Sequence, residues 1–259
     1  MSTLIVIPAR LGATRLPRKP LRLLGGEPLI VRVWEKVSSM RIAGRVVVAT
    51  DSREVADAAR AAGAEVAMTR ADHPSGTDRV AEVANQPEFE GYDAFVNVQG
   101  DEPFIGADAV SGALAQVTAG KFKLGTAACR AGAEILANPD IVKVVSDAHG
   151  RALYFSRAPI PFLRDPNDRA ARDGLVKQHL GIYAYTRDAL DRWVSLPPHP
   201  LEISERLEQL RPLADGLAMG VAIVPSVAGA RGIDTEEDLD AANARWSSLH
   251  PSQTVAGTR

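Results

Sequence analysis

An α/β fold built on a mainly parallel sheet is predicted by three observations. Short β-branched runs alternate with longer amphipathic stretches, the pattern of βαβ units. After about residue 125 the strand-like runs follow one another with few helices between them, so the second half adds a smaller, antiparallel elaboration. The chain of 259 residues, 46% apolar and 24% charged, is long enough to bury a core without disulfides and too hydrophobic for disorder.

The elements follow in order. Thr3 to Pro8 is a strand, because its Leu4-Ile5-Val6-Ile7 run stops at Pro8 and Arg10, too short for a signal peptide. Pro28 to Met40 is a helix with Leu29, Val33 and Val37 on one face. Arg45 to Thr50 is a strand, Ser52 to Ala62 a helix, Glu65 to Met68 a strand, Thr77 to Ala84 a helix and Ala94 to Gln99 a strand. Asp108 to Thr118 is helical, and Leu124 to Cys129, Val142 to Ser146, Ala152 to Ser156 and Gly181 to Tyr185 read as strands. Arg157 to Arg172 has no period and reads as a long loop. Leu201 to Leu213 reads as one helix with Ile203, Leu207 and Leu210 inward, Val221 to Val224 as the last strand and Thr235 to Ser248 as the last helix. Residues 1–249 are expected to form one domain, and His250 to Arg259 a disordered polar tail.

Thirty basic against thirty-two acidic residues leave a net charge of -2, which argues against nucleic-acid and membrane-surface binding. The single cysteine, Cys129, fits a reducing compartment, and no run approaches the roughly 20 apolar residues of a membrane span. A cytoplasmic protein is expected.

Charge is unevenly placed. Arg10, Arg15, Arg18, Lys19 and Arg22 give the first 22 residues five basic side chains and no acidic one. They follow the first strand, where open α/β sheets bind ligands, so the loop is either a solvated basic segment or a polyphosphate cradle. It lacks both the dinucleotide glycine fingerprint and the P-loop pattern. Gly100-Asp101-Glu102-Pro103 leaves a strand at the same edge, as a turn or as a source of one hard-cation ligand, Asp101. In Asp234-Thr235-Glu236-Glu237-Asp238, Thr235 and Asp238 form a capping box, which leaves Asp234 free for a ligand. Asp51 and Ser52 read as helix caps, and Ser75-Gly76-Thr77-Asp78-Arg79 opens a helix as a cap or a nucleotide contact. By themselves His179 is a strand-end polar residue, and Glu208 and Gln209 lie on a solvated helix face.

In order and spacing these segments resemble the 3-deoxy-D-manno-octulosonate (Kdo) cytidylyltransferases. The likeness runs through Pro8-Ala9-Arg10, Thr14-Arg15-Leu16-Pro17, Lys19-Pro20-Leu21, Thr69 to Thr77, Asn97 to Pro103, Ala152 to Arg157, His179 to Tyr183, Leu207 to Arg211 and Asp234-Thr235. It implies a Rossmann-like, GT-A-like nucleotide-diphospho-sugar transferase fold, with about 1–125 as the nucleotide-binding half and about 126–230 as a sugar-binding and dimerisation elaboration. It also implies the reaction of CTP with Kdo to CMP-Kdo and pyrophosphate, for lipopolysaccharide inner-core synthesis in a Gram-negative cell, by a homodimer.

Residue by residue, the resemblance implies that Asp101 and Asp234 hold Mg²⁺ and act with Lys19 in catalysis. Arg10, Arg15 and Lys19 would bind the triphosphate, Thr14 would be a further nucleotide contact, and Ser75, Gly76 and Arg79 would face the cytidine. Gln99, Arg157, Arg164, His179, Tyr183, Glu208 and Gln209 would hold the sugar acid. Two other readings stand beside it: a cytidylyltransferase for another α-keto acid sugar, such as sialic acid or amino-Kdo, and a non-catalytic nucleotide-sensing module on the same fold.

Overall fold

The computed structural model describes residues 1–12, 15–225 and 232–251. Strand β1 (Thr3–Ala9) leads through a single 3-10 turn at Lys19–Leu21 to a small ribbon, β2 (Leu23–Leu24) and β3 (Glu27–Pro28), and then to helix α1 (Leu29–Ser39). Next come β4 (Arg45–Thr50), α2 (Arg53–Ala61), β5 (Glu65–Met68), α3 (Gly76–Ala84), β6 (Ala94–Asn97) and α4 (Ala107–Thr118). The second half holds β7 (Leu124–Arg130), β8 (Lys143–Ser146), β9 (Ala152–Ser156), α5 (Arg169–Asp173), β10 (Lys177–Thr186) and α6 (Arg187–Ser195). It closes with α7 (Pro200–Glu205), α8 (Leu210–Ala214), β11 (Met219–Val224) and α9 (Glu236–Leu249).

One nine-stranded sheet organises the chain in the order β11-β7-β10-β6-β1-β4-β5, with β8 and β9 attached to the side of β10. β1 pairs in parallel with β4 and β6, β4 with β5, and β11 with β7, whereas β10 runs antiparallel to β6, β7 and β8. The alternation of side chains along β1 feeds two cores: Ile5 and Ile7 face the layer of α1 and α4, and Leu4 and Val6 face that of α3 and α6. A strand buried on both faces has to be apolar throughout, which is why β1 reads as an unbroken hydrophobic run.

The topology positions the site. From β1 the chain steps outward to β4 and β5, then returns to the opposite side of β1 as β6. Their carboxyl ends diverge at that switch point and open a crevice. There a Cβ on Gly100 would lie 2.6 Å from the carbonyl oxygen of Pro8, so the chain after β6 passes β1 only because residue 100 is glycine.

Four expectations are corrected. The predicted helix Leu201 to Leu213 is broken: α7 stops at Arg206, whose φ of 55° lies in the left-handed region, and α8 begins at Leu210. The break leaves Ile203 more than half exposed and turns Gln209 inward. The predicted long loop contains α5, started by a turn in which Asp165 accepts from the Asn167 N–H at 2.9 Å, too short to show a period. Strand β10 extends back to Lys177, because its polar first half pairs with β7 although it lacks apolar alternation. The tail begins packed, with the His250 ring stacked 4.2 Å from Trp246; residues 252–259 lie outside the described ones. Helix α6, capped by Thr186 and anchored by Leu190 and Trp193, was not among the predicted elements.

Candidate active site

Two adjoining clefts occupy the crevice. The first, of about 400 Å³, is walled by the end of β1, the basic loop and the start of α3. Arg10, Arg15, Lys19, Ser75, Gly76, Arg79, Gln99, Asp101 and Asp234 all line it. The second, of about 580 Å³, lies toward β10 and the α7–α8 break; Gln99, Arg157, His179, Tyr183, Glu208, Gln209 and Asp234 line it. Gln99 and Asp234 border both. Arg164 is exposed on the loop and lines neither cleft, and Thr14 lies outside the described residues.

The basic loop divides its charges. Arg18 pairs with Glu54, and Arg22 holds both oxygens of Glu236 at 2.5 and 2.7 Å, so these two arginines brace the loop against α2 and α9. Arg10, Arg15 and Lys19 are left to the cleft. At its centre the Lys19 ammonium lies 2.5 Å from Asp101 Oδ2 and 2.9 Å from Asp234 Oδ1, with Arg15 3.1 Å from Asp234 Oδ2. Burial works to lower the Lys19 pKa, but the charges and hydrogen bonds of the two aspartates outweigh it and hold the ammonium above its ordinary value. Neighbouring Glu102 is pushed up to about 8 by burial and by the like charges of Asp101 and Asp234.

Asp234 reaches this point because its neighbours do other work. Thr235 Oγ1 accepts from the Asp238 N–H at 3.1 Å, and the Asp238 carboxylate accepts from the N–H groups of Thr235 and Asp234 at 3.0 and 3.1 Å. Asp238 is thereby spent on the cap of α9, as the sequence pattern predicts, and Asp234 projects past it. Two hard oxygens from chain segments far apart converge on one cationic point. That donor set suits Mg²⁺, which takes one or two protein carboxylates and fills its remaining positions with water and phosphate oxygens. Among the described residues no cluster of three or more acidic, His or Cys side chains forms a metal site by protein ligands alone.

Around the first cleft, Arg79 is almost fully buried and pairs with Asp51 at 3.0 Å and with the Thr69 hydroxyl. Ser52 caps α2 as predicted, whereas Asp51 holds Arg79. Ser75 caps α3, accepting from the Asp78 N–H at 3.3 Å.

The second cleft mixes acidic side chains, Glu102, Asp140 and Glu208 among them, with Arg157 and Arg206. His179 is buried within β10, not at a strand end, and burial pushes its pKa down to about 3. Thr126 donates its proton to the Ile182 carbonyl at 2.7 Å, so the 2.9 Å contact with His179 requires Nε2–H to donate to Thr126, and Nδ1 is the bare nitrogen. Glu208 Oε2 and Gln209 Nε2 are buried and make no hydrogen bond among the described residues. Arg157 is braced: its Nε donates to the Glu205 carbonyl and its Nη1 to the Pro139 carbonyl, both at 2.9 Å. Below it Lys143, fully buried, donates to the carbonyls of Asn138, Ile141 and Arg157 at 2.9, 2.7 and 2.5 Å.

The structure adds residues that the sequence reading left without a role. His73, buried and paired with Glu82, lines the first cleft; Glu102 and Arg206 line the second. Glu102 was visible as the partner of Asp101 in the same turn, but nothing local distinguished Arg206 from the twenty-three other arginines.

Comparisons with known proteins agree with this geometry. A sequence profile of the family described as Cytidylyltransferase matches residues 4–219. A 3-deoxy-manno-octulosonate cytidylyltransferase of Gemmatimonas aurantiaca is 59% identical over 99% of this chain and 98% of its own length. One from Leptothrix cholodnii is 48% identical over 93% and 90%. The solved structure of a CMP:2-keto-3-deoxy-manno-octonic acid synthetase complexed with CTP superposes with a TM-score of 0.88 at 37% identity, covering 96% of this chain and all of that one. A 4-diphosphocytidyl-2C-methyl-D-erythritol synthase from Anaerococcus prevotii, at 15% identity and a TM-score of 0.61 over 94% and 95%, shares the fold. With a profile match over most of its length and close relatives over nearly all of it, the chain belongs to the 3-deoxy-manno-octulosonate cytidylyltransferases.

Proposed function

We propose that this enzyme transfers CMP from CTP to the anomeric hydroxyl of Kdo, releasing pyrophosphate. The observation that carries the reading is the convergence of Asp101, Asp234 and Lys19 where the basic first cleft meets the second. The relatives' names and the CTP complex of the structural neighbour support the same substrates.

Attack on the α-phosphorus calls mainly for alignment and for neutralisation of phosphate charge. Arg10, Arg15 and Lys19 supply that charge along the triphosphate, and Lys19 follows the negative charge that grows on departing pyrophosphate. Ser75, Gly76 and Arg79 border the space for the cytidine. In the second cleft the braced Arg157 guanidinium would pair with the sugar-acid carboxylate, while His179 Nδ1, Glu208 and Gln209 would hold hydroxyls. Asp101 and Asp234 would hold Mg²⁺, which would supply Lewis-acid neutralisation of the phosphate charge. No role for Arg164 follows from its exposed position.

The wider reading is a homodimer acting in the cytoplasm on lipopolysaccharide synthesis; it rests on the family resemblance. No helix of the described residues is long and apolar enough to cross a membrane. Pyrophosphate release with purified protein, CTP and Kdo, with and without Mg²⁺, tests the function. Release only with Kdo and CTP is expected; preference for sialic acid or amino-Kdo selects the first alternative, and nucleotide binding without release under any pairing defeats the enzyme reading.

A further inference from the structure

Three fully buried side chains form a hydrogen-bond chain in the wall between the two clefts. Asn97 Nδ2 donates to the Tyr185 hydroxyl at 3.4 Å, that hydroxyl lies 3.1 Å from Thr77 Oγ1, and Thr77 Oγ1 donates to Glu208 Oε1 at 2.9 Å. The direction is forced. A hydroxyl has one proton; because Thr77 gives its own to Glu208, it accepts from Tyr185, which in turn accepts from Asn97. The chain therefore ends on one oxygen of Glu208, while the other, Oε2, is buried at the second cleft and makes no hydrogen bond among the described residues.

A buried carboxylate oxygen without a donor is costly, and a site holding one discriminates strongly for ligands that bring a hydroxyl to it. Such an oxygen selects only if the carboxylate is fixed in rotation. Thr77 is placed to fix it: it sits at the start of α3, immediately after the Ser75 and Gly76 that line the first cleft, on an element anchored in the core. We propose that Thr77 is a positioning residue for acceptor selection, holding Glu208 so that Oε2 receives a hydroxyl of the sugar acid. This rests on the reading that the second cleft takes that acid.

Steady-state kinetics by pyrophosphate release tests it, starting with the wild type. A wild type inactive with every sugar acid refutes the functional reading itself; an active one lets the variants speak to Thr77 alone. Thr77→Val is expected to raise the KM for the sugar acid about 10-fold, the effect of losing a hydrogen bond to a charged group, with the KM for CTP changed less than about twofold. Thr77→Ser, which keeps the hydroxyl, restores the wild-type KM, and in a Glu208→Ala background, which removes the acceptor, Thr77→Val adds no further rise. If Thr77→Val loses its native circular dichroism, Tyr185→Phe carries the test through a smaller rise confined to the same KM. Equal rises in both KM values, additivity with Glu208→Ala, or unchanged kinetics overturns the proposal.

Discussion

Lowering the pH should unfold this protein in part through one ring. His179 is buried in the central sheet, edge-on to Phe155 with ring centroids 4.9 Å apart, and its Nε2–H is committed to Thr126. Burial lowers its pKa from 6.5 to about 3. The unfolded chain accepts the proton near pH 6.5 and the folded one does not, so the stabilisation is complete above pH 6.5 and is lost as the pH falls toward 3. Linkage puts the loss at about 2 kcal/mol by pH 5 and about 5 kcal/mol once both states are protonated. Urea unfolding at pH 7 and pH 5, for wild type and for His179→Gln, isolates this ring, because glutamine keeps an amide donor for Thr126 and does not titrate. The wild type is expected to lose about 2 kcal/mol more than the variant between the two pH values. Parallel pH dependences would refute the reasoning.

Other perturbations have equally definite outcomes. Asp101→Asn or Asp234→Asn should lower turnover by about 10²-fold or more with an unchanged melting temperature, since each removes charge from the reacting centre and not from the core. Chelation of divalent cations should stop pyrophosphate release and added Mg²⁺ restore it; activity that survives chelation would remove the metal assignment. Lys143→Met strands three carbonyls that share one buried ammonium, a cost of about 3 kcal/mol. In a chain of this size that lowers Tm by about 6–12 °C by calorimetry. Gly25→Ala should destabilise by about 1–3 kcal/mol in the same experiment, because residue 25 has φ 56° and a Cβ there would lie 2.2 Å from Trp246 Nε1.

Much of the fold is legible locally. Arg45–Thr50, Glu65–Met68 and Ala152–Ser156 have the bounds the sequence predicts for them, and the caps of α2, α3 and α9 fall on Ser52, Ser75 and Thr235. These features depend on neighbours within four residues, where periodicity and capping chemistry act. The polar half of β10 and the broken α7–α8 segment did not show, because pairing to β7 in one case and a left-handed Arg206 in the other overrode the local pattern.

For the site, the residues by themselves determined the uneven placement of charge, the freedom of Asp234 beside its capping box, and the sheet edge where ligands gather. The family resemblance supplied the roles. Only the tertiary structure decided which of five basic side chains face the cleft and which brace it, and that Glu208 and Gln209 are buried cleft residues and not a solvated helix face. It alone made His179 a neutral donor to Thr126. The physical reason is separation along the chain. Lys19 meets partners 82 and 215 residues away, and Thr77 meets one 131 away. Burial and charge pairing at such distances are set by how the sheet folds back on itself, which no local pattern encodes.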